Sequence, residues 1–156
     1  MRNALLFGAA LLVGALAVAP ASAQNTGYDP TYGSVRLNAG FLPDPHTVSM
    51  TAGGDVALNM GECSYGHVAE APDVNFYYSA NGRNTLYFYA RSGSDTTLLV
   101  NEPDGGWVCN DDGLGEGTNP MIVLPGAGSG LYNVWVGTYG TSLSPATLYI
   151  SEIDPR

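Results

Sequence analysis

What most constrains this chain is a rhythm. Beyond residue 40, short runs rich in Val, Tyr, Thr, Phe and Leu recur, each closed by Gly, Pro, Asn or Asp. These residues favour strands, because branched and aromatic side chains pack well on a pleated surface. The runs fall at 46–50, 55–58, 65–70, 73–79, 85–90, 96–100, 107–110, 121–124, 130–136 and 146–151. No window keeps a 3.6-residue apolar period for three turns, so almost no helix is expected. Many short strands at this spacing predict a single all-β sandwich of antiparallel sheets, jelly-roll-like or immunoglobulin-like.

The connectors support that reading. Asn81-Gly82 lies between two aromatic runs, and both residues tolerate positive φ, so it predicts a hairpin. Pro103-Asp104-Gly105-Gly106 predicts a second turn. Ala127-Gly128-Ser129-Gly130 delivers the chain into a strand. On that strand Tyr132, Val134 and Val136 face one side, and Leu131, Asn133 and Trp135 the other. The segment 24–40 is polar, contains Gly and Pro, and shows no clear period. It is expected to be a flexible or weakly docked arm leading into a domain at 41–156.

Residues 1–23 read as an address. Arg2 gives a short basic start, residues 4–18 are almost wholly apolar, and Ala21-Ser22-Ala23 is a small-residue cleavage site. The apolar run, about 15 residues, is shorter than the ~20 that span a bilayer. A signal peptide cleaved before Gln24 is therefore expected, and with it a secreted protein, periplasmic or extracellular. The remaining chain has four arginines, no lysine and 14 acids, a formal charge of −10. With no basic cluster, nucleic acid and anionic lipid are poor partners. An extracellular protein or polysaccharide is the expected class of partner.

Cys63 and Cys109 are the only cysteines. Export favours one intramolecular disulfide between them, worth roughly 3–4 kcal/mol by chain entropy. A metal site or a nucleophile would want a CxxC spacing or an adjacent His, and neither is present.

From Asp73 onward the order of motifs resembles a known family. Asp73-Val74-Asn75-Phe76-Tyr77-Tyr78 supplies an Asp-x-aromatic-x-aromatic strand, and Leu86-Tyr87-Phe88 a Leu-x-Phe strand. Asp95 opens an aliphatic strand, Thr96 to Val100, that runs to Pro103-Asp104-Gly105. Gly130-Leu131-Tyr132-Asn133-Val134-Trp135-Val136 matches a Gly-x-Tyr-x-aliphatic strand, and Ala146-Thr147-Leu148-Tyr149-Ile150 closes the series. In order and spacing these resemble the bacterial pre-peptidase C-terminal domain, a small secreted β-sandwich often attached to proteases and collagenases. The resemblance implies a non-catalytic accessory module. It also implies calcium, which collagenase-associated members bind.

The densest oxygen-bearing stretch is Asp95, Asn101, Glu102, Asp104, Asn110, Asp111, Asp112 and Glu116, within 22 residues. Ca²⁺ takes six to eight oxygen ligands in irregular geometry. Adjacent Asp111 and Asp112 would repel without a cation or solvent between them. A structural Ca²⁺ held by Asn101, Asp104, Asn110, Asp111, Asp112 and Glu116 is the expectation, beside the alternative of a solvated acidic loop. A Cys63–Cys109 bond would pin that loop.

Catalytic patterns are weak. His46 and His67 are the only histidines, too few for a zinc site without other ligands. No G-x-S-x-G elbow occurs, and acids gathered on one hairpin do not offer two carboxylates across a cleft. The protein is expected not to be an enzyme. The tyrosines offer another possibility: in Phe76-Tyr77-Tyr78 and Tyr87-Phe88-Tyr89 alternate rings face opposite sides, so one set is core and the other is available to stack on a sugar or hold a peptide.

Overall fold

The structure, a computed structural model, describes residues 24–113 and 117–156. The signal peptide expected at 1–23 lies outside the described residues, as does Glu116. Eleven strands and no helix occur among the described residues. They are β1 (Ser34–Asn38), β2 (His46–Ala52), β3 (Val56–Ala57), β4 (His67–Val68), β5 (Val74–Ser79), β6 (Leu86–Ser92), β7 (Thr96–Asn101), β8 (Trp107–Asn110), β9 (Met121–Leu124), β10 (Gly130–Thr138) and β11 (Ser144–Ser151).

Two sheets form the sandwich. One has the order β2-β11-β6-β9. The other is built around β10, which pairs with β5 and β4 along one edge and with β7 along the other; β8 follows β7, β3 follows β4, and β1 lies outside β5. The layers follow the predicted alternation. Tyr132, Val134 and Val136 of β10 join Phe76 and Tyr78 of β5 and Phe88, Leu148 and Ile150 of the facing sheet in one interlayer core. Its centre is aromatic: Phe88 meets Phe76 edge-on at 5.8 Å and Tyr132 at 5.7 Å. Such contacts add to the burial of large apolar area.

The opposite face of β10 is covered as well. Trp135 is fully buried there with Leu58, Val68 and Leu99 around the Cys63–Cys109 disulfide. The Trp107 ring, partly exposed on β8, lies 5.5 Å from that of Trp135. On the same face Asn133 Nδ2 donates to Asn75 Oδ1 at 2.7 Å, which pairs two buried amides.

Between β5 and β4 the pairing edge of β10 is interrupted, and Asp73 fills the interruption. Its backbone N–H donates to the Val134 carbonyl, and its Oδ2 accepts from Val136 N–H at 2.7 Å. Burial pushes this carboxyl up to about 7, although the Val136 bond pulls the other way.

The segment 24–40 differs from the expected flexible arm. Ser34–Asn38 pairs in parallel with β5, and upstream Asn25, Thr31 and Tyr32 donate to the carbonyls of Glu70, Pro72 and Asp73. The sandwich therefore begins before Phe41. A parallel strand has no hairpin to announce it, since its partner lies some 40 residues away; Val35 and Leu37 alternate, and both pack on the core. The Tyr32 hydroxyl also accepts from Thr51 N–H at 2.9 Å, on the edge strand β2.

Candidate functional site

The strands give the sandwich two ends. The upper end collects the loops that follow β2, β6, β8 and β10, and the lower end those that follow β5, β7, β9 and β11. The upper end carries the most exposed aromatic surface. Tyr65 precedes β4 and Tyr139 follows β10. Their rings stack at 6.4 Å, only 9° from parallel, and each is about half exposed, at 55% and 50%. Leu143, exposed in the β10–β11 loop, lies beside Gly53, where a Cβ would meet its Cδ2 at 3.1 Å.

Local chemistry seats this pair. Tyr139 N–H donates to the Asp95 carbonyl, tying the loops after β10 and β6 together. Gly66, beside Tyr65, has φ +98°, and a Cβ there would meet Thr97 Cγ2 at 2.5 Å and the Thr138 carbonyl at 2.8 Å. No larger residue lets the Tyr65 loop lie so close to β7 and β10. Below Tyr65, the side chains of Glu62, Thr97, Asn110 and Asp111 and the disulfide line a cavity of about 80 Å³.

Carboxylates crowd this end. Asp95 is held above the usual range by burial and by the nearby charges of Asp112 and Asp111. None of the four described arginines is paired with them. Arg36 lies over the Tyr77 ring at 3.7 Å, Arg91 is on the outer face of β6 at 6.0 Å from the Tyr89 ring, Arg83 is in the lower β5–β6 loop, which crosses from one sheet to the other where Asn81-Gly82 predicted a hairpin, and Arg156 pairs with Asp154.

At the lower end two carboxylates are tied into the fold. Glu152 Oε1 accepts from the Tyr78 hydroxyl at 2.5 Å and Oε2 from Gly40 N–H at 2.8 Å. Asp44 accepts from Ser151 Oγ and from Glu152 N–H. Burial raises the Glu152 carboxyl, but the bonds from Tyr78, Asn84 and Gly40 outweigh it and leave the group below its ordinary value.

The expected calcium ligands divide between these ends. Asn101 and Asp104 belong to the lower turn, where Asn101 Nδ2 donates to the Gly106 carbonyl and Asp104 Oδ1 accepts from Gly106 N–H. Asn110, Asp111 and Asp112 lie at the top of β8, and Asn110 Oδ1 accepts from Met121 N–H. Roughly 10 Å of strand separates the two groups, whereas one ion would need its ligands within about 2.5 Å. The set drawn from the sequence does not fit a single ion, because a hairpin carries its tip and its base in opposite directions. Among the described residues no three His, Cys, Asp or Glu side chains converge to hold a metal. The disulfide forms as expected, with the two sulfurs 2.03 Å apart.

His46 opens β2 at the lower end and His67 lies in β4 at the upper end, so they share no site. The strand tyrosines are also poorly placed for stacking. Tyr78 and Tyr89 are buried, and the face of Tyr77 is occupied by Arg36. The two most exposed rings among the described residues are in loops, at Tyr65 and Tyr139, where the strand pattern did not point. Each precedes a glycine, in Ser64-Tyr65-Gly66 and Thr138-Tyr139-Gly140, which was the available signal for a ring placed on a turn.

No family model matches the chain, and no curated protein matches it. Solved structures are similar to it, two of them as follows. One is the pre-peptidase C-terminal domain of a collagenase from Bacillus anthracis, at 12% identity and a TM-score of 0.44, covering 81% of this chain and 100% of that one. It is the kind of domain the sequence motifs resemble. The other is PliG of Aeromonas hydrophila, a periplasmic inhibitor of g-type lysozyme, at 14% identity and a TM-score of 0.37, covering 80% of this chain and 98% of that one. At such identity and overlap neither likeness assigns a function.

Proposed function

We propose that this protein is a non-catalytic, extracytoplasmic binding module whose upper end docks a basic protein. The observation that carries the reading is the exposed Tyr65–Tyr139 pair, set among carboxylates with which none of the described arginines pairs. Aromatic anchors give an interface its contact energy, while surrounding charge selects the partner and speeds encounter. The disulfide supports an oxidising compartment. A polysaccharide is the weaker candidate, because the strand tyrosines do not form an open platform.

The test is binding to a panel of basic and acidic globular proteins and neutral polysaccharides, at low and high salt. At least one basic protein should bind, more weakly as salt rises. Changing Tyr65 and Tyr139 together to Ser should weaken binding at least tenfold, or about 1.4 kcal/mol, with unfolding unchanged. Retention by polysaccharide alone, or equal binding by the variant, refutes the reading.

Calcium is a separate proposal, confined to the expected ligands that lie together at the upper end, Asn110, Asp111 and Asp112. It predicts a melting temperature that rises with calcium but not with magnesium. The rise should disappear in Asp111→Asn/Asp112→Asn, and equal melting in calcium and EDTA ends the proposal.

A further inference from the structure

The upper end has a small, partly open pocket of about 80 Å³ with Tyr65 in its lining. It is far smaller than the ~300 Å³ at which small-molecule pockets begin, yet large enough for the head group of one long side chain. Its walls are chemically mixed. Its lining includes two acidic residues from different segments, Glu62 and Asp111, the aromatic Tyr65, and the disulfide-bonded Cys63 and Cys109. Thr97, also in the lining, donates its hydroxyl proton to the Asn110 carbonyl at 3.3 Å, which leaves the Oγ1 lone pairs able to accept from an incoming N–H.

We infer that this cavity receives the guanidinium of an arginine from the docked protein. The inference rests on the basic-partner reading and deepens it. Two carboxylates and a ring suit a planar fork of donors that also stacks on aromatic faces, and suit a compact ammonium less well. The chain contains the same contact elsewhere, with Arg36 over the Tyr77 ring at 3.7 Å. The required cation cannot come from this chain's lysines, since it has none, and its described arginines are engaged or placed elsewhere. Each carboxylate at this end also lowers the free energy of a cation bound beside it.

The experiment is a titration of the oxidised protein, followed residue by residue by NMR. The probes are blocked single amino acids: Nα-acetyl-arginine methylamide, its lysine counterpart and its neutral citrulline counterpart. The arginine probe should shift Glu62, Tyr65, Thr97 and Asp111 with millimolar affinity. Lysine should bind several-fold more weakly, and citrulline should produce no saturable shift. E62Q/D111N should retain the fold and weaken arginine binding at least tenfold. Equal response to citrulline, shifts located elsewhere, no shift at all, or an undiminished response in E62Q/D111N overturns the inference. Failure here, with Tyr65- and Tyr139-dependent binding of a basic protein intact, removes the cavity and leaves the docking surface. Loss of protein binding with the arginine response intact removes the proposed function instead.

Discussion

The two ends of the sandwich use the same residue types to opposite effect. At the lower end the carboxylates of Glu152 and Asp44 accept from Tyr78, Gly40, Ser151 and the Glu152 backbone. Their charge is absorbed into closing the fold. At the upper end burial and the nearby charges of Asp112 and Asp111 hold the Asp95 carboxyl above its ordinary value, and the rings of Tyr65 and Tyr139 face water. A carboxylate held by several donors stabilises, whereas one surrounded by like charge remains available to a ligand. Substitutions at the lower end should therefore cost stability, and those at the exposed upper end should cost binding.

The largest expected effect crosses that division. Replacing Cys63 and Cys109 with Ser opens a loop of sequence separation 46 and should cost about 4 kcal/mol in denaturant unfolding. It also removes a wall of the upper cavity, so binding should fall even where the variant remains folded. Retained stability would show that the cluster around Trp135 holds the loop without the bond.

Asp73 is the next test, because it is a buried carboxylate in the upper half. Its folded pKa of about 7 lies above its unfolded value, so the fold binds the proton more tightly. Stability from this group is complete below about pH 4 and is lost as pH rises towards 7 and above, by at most ~4 kcal/mol. Asp73→Asn keeps an acceptor for Val136 N–H and should flatten that decline in a series of thermal melts. An unchanged pH slope would place its origin in other acids.

Glu152 has the opposite sign. Its folded pKa is depressed, so its contribution is present above the unfolded value and is lost as pH falls through the folded one. Glu152→Ala leaves the Tyr78 hydroxyl and Gly40 N–H without their acceptor and should cost about 1–3 kcal/mol, leaving binding at the upper end unaffected. The smallest effect on stability belongs to Tyr65→Ser/Tyr139→Ser, within about 0.5 kcal/mol. A large loss there would mean that the pair is structural, and the contrast between the ends would fail.

The sandwich was legible in the sequence where its signals are local. Alternation along β10 sorted Tyr132, Val134 and Val136 from Asn133 and Trp135, and the runs at β8 and β9 match the strands residue for residue. The run at 65–70 shortened to His67–Val68, because β10 offers a pairing edge there only at Thr138. β1 was missed because its partner is remote in sequence. The site was less legible for a related reason. Proximity along the chain grouped Asp104 with Asp111, while β8 carries them to opposite ends. Tyr65 and Tyr139 are separated by more than seventy residues, and only the pairing of Thr138 with His67 brings their loops together.

The position of Trp135 bears on how this protein is observed. Both tryptophans of the chain, Trp107 and Trp135, lie on the outer face of the β10 sheet, in or beside the disulfide cluster, and neither enters the interlayer core. Intrinsic fluorescence is therefore a local gauge. It follows the stapled patch, while circular dichroism follows all eleven strands. Coincident melting curves from the two would mean that the patch and the sandwich unfold as one cooperative unit. An earlier fluorescence transition would mean that the patch peels away first, carrying the Tyr65 loop with it.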